Sequence, residues 1–75
     1  MTKKDKKIID DSERRGIPIF VITAKDRASI RTLIKYYNAC ENIGCHSDHL
    51  WGVTQRINDF AIWQRDNSDF VKTPD

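Results

Sequence analysis

Ile17-Pro18-Ile19-Phe20-Val21-Ile22-Thr23 is the stretch on which the fold turns. No second run like it exists in the 75 residues. A short segment so rich in β-branched and aromatic residues reads as a strand. Pro18 limits pairing near its start. Residues 19–23 leave both faces of such a strand apolar, and a strand apolar on both faces is buried on both. A lone strand also leaves its backbone donors and acceptors without partners. The expectation is an α+β fold: one short strand, then an antiparallel helical hairpin, with the strand paired across a homodimer through Ile19, Phe20, Val21 and Ile22.

Downstream, the apolar period changes to that of helices. Asp26 is a good N-cap for a helix over about 27–42, in which Ile30, Leu33, Ile34, Tyr37 and Cys40 form one stripe. Asn42-Ile43-Gly44 reads as its stop, with Gly44 free to take positive φ. A second helix is predicted from Ser47 to about Arg65, with the stripe Leu50, Val53, Ile57, Phe60 and Ala61. The short connection between them implies an antiparallel hairpin. Gly52 inside this helix costs about 1 kcal/mol relative to Ala, which close approach of another element would explain.

Outside this domain (17–66), residues 1–16 read as a charged, flexible arm and 67–75 as a loose tail. Lys3, Lys4, Lys6 and Lys7 open the arm; Asp10, Asp11, Glu13, Arg14 and Arg15 follow. Overall, 39% of residues are apolar and 32% charged, which is globular composition. A domain this small buries only about 60% of its unfolded surface and is marginal alone, which again favours an oligomer. The 17–23 run is too short for a membrane span, so no membrane association is expected, and two cysteines make no disulfide scaffold. A cytoplasmic location follows, in the host cell if a phage encodes the chain.

Cys40, Cys45, His46 and His49 raise the question of zinc or nucleophilic catalysis. Their spacing fits no common finger, and Cys40 already has a place on the apolar stripe. Sequence neighbours such as Cys45 and His46 seldom supply a triad. Glycines at 16, 44 and 52 make no phosphate loop. No metal, cofactor or catalytic residue is expected.

The candidate contact surface is electrostatic. Lys25, Arg27, Arg31 and Lys35 recur on or beside the first hairpin helix, with no carboxylate at helix-pair spacing except Asp26. Such a row suits an acidic protein surface, a phosphate-bearing ligand or a nucleic-acid backbone. Trp51 and Trp63, on opposite flanks of the second helix, are the apolar anchors, since Trp is enriched at interfaces.

The order strand, helix, Gly-containing loop, helix over Ile17–Arg65 resembles the ribbon-helix-helix family. That resemblance implies antiparallel strands paired across a dimer to read the major groove. The outward strand positions here are apolar, where that family carries polar or basic residues. The segment Phe20-Val21-Ile22-Thr23-Ala24-Lys25-Asp26, with the closing Trp63-Gln64, also resembles short phage and prophage proteins. This second resemblance implies an accessory protein that binds a host enzyme, a defence complex or a signalling nucleotide. The expected function is therefore that of a small non-enzymatic binding protein that modulates or inhibits a host factor. The alternative is a ribbon-helix-helix-like DNA-binding transcriptional regulator.

Overall fold

The structure, a computed structural model, describes residues 2–74. It is all-α. Helix α1 spans Lys3–Arg15, α2 Ser29–Asn42 and α3 Ser47–Asp66, and a single 3-10 turn follows at Ser68–Phe70. The described residues contain no strand, which overturns the α+β expectation and the strand ladder at Ile19, Phe20, Val21 and Ile22. Residues 17–23 have no regular secondary structure and no ladder partners among the described residues. Phe20 is 86% exposed and Val21 65%, and Ile19 is half-exposed. High β-propensity describes fitness for a pleated, half-buried surface, and nothing within the chain offers one.

Within the charged N-terminal segment, residues 3–15 form the helix α1. Each end of α1 is closed by local chemistry. Thr2 accepts a hydrogen bond from the Asp5 amide at 3.0 Å. Asp5 lies in the first turn and Arg14 and Arg15 in the last, which suits the helix dipole. Asp11 pairs with both arginines. Gly16 at φ 68° ends the helix, and the Ile17 amide returns to the Ser12 carbonyl at 2.8 Å.

Helix α2 begins two residues later than the sequence suggests. Asp26 does not cap it directly: its carboxylate accepts from the Ala28 amide at 2.7 Å, closing a turn ahead of the helix. At the other end Gly44 stands at φ 81°, with Gly44 N–H to Glu41 and Cys45 N–H to the Cys40 carbonyl. This Schellman closure sets Cys45 over Cys40, the pair of positions that ordinarily share an apolar contact. Helix α3 starts on His46, whose Nδ1 accepts from the Asp48 amide at 3.0 Å.

Helices α2 and α3 pack along one another as the expected antiparallel hairpin, and α1 makes no comparable packing with either. The interior is thin. Cys40 and Val53 are the buried apolar residues, with Leu33, Tyr37, Leu50, Ile57 and Phe60 half-buried around them. Burying a Val contributes about 1.5–3 kcal/mol, so a core of this size leaves the hairpin dependent on its polar closures. After the 3-10 turn the chain returns to the segment ahead of α2. Lys72 donates to the Lys25 carbonyl at 2.8 Å and accepts from the Arg27 amide at 2.8 Å, forming a single parallel bridge. No helix among the described residues is long and apolar enough to cross a membrane.

Candidate basic contact face

The basic row is assembled by the turn before α2 and by α2 itself. Arg27 precedes the helix, while Arg31 and Lys35 stand one turn apart on it. Lys25, Arg27, Arg31 and Lys35 are all exposed. Among the described residues none of them forms an ion pair. The carboxylate of Asp26, beside them in sequence, accepts from the Ala28 amide.

A fifth cation joins them from the C-terminal end of the chain. The Lys25–Lys72 and Arg27–Lys72 backbone bonds lay residues 72–74 against the start of α2. Two shallow hollows result, on either side of Thr73 and Pro74. One, of about 250 Å³, is lined by Thr23, Lys25, Asp26 and Lys72; the other, of about 210 Å³, by Arg27, Ala28 and Arg31. Lys72 carried no sequence signal, because the contact that brings it here spans most of the chain. Its neighbours do: Pro74 cannot continue a helix, and a turn after Asp66 sends the chain back.

The ground under this face is fixed by α3. Gln64 Nε2 donates to the carbonyls of Ala24 and Asp26 at 3.0 and 3.3 Å, and to Ser29 Oγ at 3.2 Å. The last turns of α3 therefore hold the segment that carries Lys25 and Arg27. In the sequence Gln64 stands out only within the Trp63-Gln64 pair that resembles phage proteins. A half-buried Gln near the end of a long helix, facing a polar turn, is the signal that could have found it.

Trp51 and Trp63 stand apart from each other on α3. Twelve residues on a helix place them about 120° apart in azimuth and about 18 Å apart along the axis. Trp51 is 63% exposed and Trp63 half-buried. Gly52 is not explained by a close approach inside the chain. A Cβ there would meet nothing within 4 Å. It borders an open groove between α1 and α3 whose walls include Ile8, His49 and Arg56. Across that groove Arg56 reaches Asp5 at 3.5 Å.

The cysteines and histidines are occupied separately. His46 caps α3. His49 Nε2 lies 3.0 Å from the Tyr36 hydroxyl, with the rings edge to face at 5.9 Å. Burial, then a hydrogen bond with Cys40, raises the Cys45 thiol above its ordinary range. Hydrogen bonding to Cys40, then burial and the nearby thiols, raises Tyr36 likewise. A neutral thiol is a poor nucleophile and a poor metal ligand. The described residues hold no group of three or more His, Cys, Asp or Glu side chains arranged to hold a metal ion. Comparison with protein-family models, with curated proteins and with solved structures finds no match.

Proposed function

We propose that this chain acts by binding and not by catalysis, as an accessory protein that engages an acidic surface on a host factor. The observation that carries the reading is the set Lys25, Arg27, Arg31, Lys35 and Lys72: five cations on α2 and the two segments that meet at its start, exposed and without ion-pair partners among the described residues. Unpaired charges of one sign raise the local concentration of an oppositely charged partner and accelerate its capture. The two hollows beside Pro74 are too open to enclose a small molecule, whose sites bury most of the ligand. A broad protein surface suits them better. The resemblance of residues 20–26 and 63–64 to phage accessory proteins supplies the setting, with a host protein as the target.

The test is charge reversal at Arg27 and Arg31, scored by capture of the partner from host lysate at two salt concentrations. A protein partner is retained by the wild-type chain and lost by the double variant. Binding to any DNA duplex, weakening steeply with salt, would instead place the function with nucleic acid.

A further inference from the structure

We infer that the extended segment 17–23 and the Ile8 face of α1 form a docking surface for a second copy of this chain, through side-chain packing and without a strand ladder. The chain exposes 6426 Å². A monomeric globular protein of 8.8 kDa exposes about 4,800 Å². The excess is about 1,600 Å² per chain, within the range of roughly 1,000–2,500 Å² that each subunit of an obligate homodimer buries. The dimensions agree. The radius of gyration is 13.7 Å, against about 11 Å for a compact domain of this length.

Part of the excess lies on α1 and the segment after it, where Ile8, Ile17, Ile19, Phe20 and Val21 are exposed. Asp5, Ile8 and Ile9 of α1 and residues 19–22 line a cleft of about 430 Å³ between them. Phe20, on the rim of this cleft, is the most exposed of the large apolar residues. Its burial in the matching cleft of a second copy is a two-fold exchange, each chain giving a Phe20 and receiving one.

The area points to a copy of the chain as the occupant, since the excess matches what one subunit of a homodimer buries. This inference does not rest on the basic face, which lies on α2 and the C-terminal segment.

Sedimentation of the full chain from about 1 to 100 µM tests it, in a range where a micromolar association is visible. A dimer is expected. Phe20→Ser should weaken it at least about tenfold, while Trp51→Ser, on α3, leaves it unchanged. A wild-type chain monomeric throughout, or a dimer lost in Trp51→Ser and kept in Phe20→Ser, overturns the inference. Oxidative footprinting of the wild-type chain decides the matter should Phe20→Ser unfold. Modification of Phe20 should fall as the dimer forms, and equal modification of Phe20 in monomer and dimer overturns the inference.

Discussion

The side-chain amide of Gln64 donates to Ser29 Oγ at 3.2 Å, at the point where the end of α3 meets the start of α2. Ser29 is fully buried. The same amide reaches the carbonyls of Ala24 and Asp26, so one side chain serves three acceptors in a turn that has little apolar packing of its own. Replacing Gln64 with Leu keeps the bulk and removes the donors. Leaving buried acceptors unsatisfied costs about 1–3 kcal/mol, and a fall of that size in urea stability is expected. An unchanged midpoint would show that water replaces the amide without loss.

Gly52 should respond in the opposite direction. Space is open where its Cβ would stand, and its backbone is helical. Gly52→Ala should therefore raise stability by up to about 1 kcal/mol, seen as a higher thermal midpoint. Loss of stability would mean that α1 sits closer to α3 in solution.

The raised Cys45 and Tyr36 groups make an alkaline prediction. Both are favoured in their neutral forms in the fold, Cys45 chiefly by burial and Tyr36 chiefly by its hydrogen bond with Cys40. A folded-state value above the unfolded one gives stability that is full below the unfolded value and lost as pH rises through the folded one. For the thiol, whose ordinary value is 9.0, the loss begins above that pH; for the phenol, at 10.0, it begins higher. Cys45→Ser removes the first step, so its urea midpoint should fall less than that of the wild-type chain between about pH 8 and pH 10. Parallel curves for the two proteins would count against a folded-state thiol shift.

The hairpin was legible in the sequence because its signals are local. Stripes at helical spacing and Gly44 are enough to place α2 and α3 to within about two residues, the usual uncertainty of helix ends. The segment 17–23 misled because its side chains suit a sheet while a strand also needs a neighbour, which no residue pattern within one chain guarantees. Helix α1 was hidden by its charge density. Its apolar residues are Ile8 and Ile9 alone, too few for a stripe, and its closures at Thr2, Asp5 and Gly16 were the readable signs. Four of the five cations of the basic face could be read from their spacing. Lys72 could not, since it arrives through backbone bonds to Lys25 and Arg27 across more than forty residues.

Lys72 provides an independent check on the assembled face. Lys72→Glu changes one exposed side chain and spares both backbone bonds of the bridge, so stability should move by under about 0.5 kcal/mol. Partner affinity should fall, and the loss should shrink as salt is raised. An affinity that is insensitive to Lys72→Glu would confine the contact to α2.

The most direct measurement is partner binding by the Arg27→Glu, Arg31→Glu double variant, made beside circular dichroism of the same sample. Both arginines are exposed and unpaired among the described residues, so the helical signal should match wild type. Binding should weaken at least about tenfold, which requires only about 1.4 kcal/mol, and the deficit should be largest at low salt. A folded double variant that binds its partner as tightly as the wild-type chain would contradict the account.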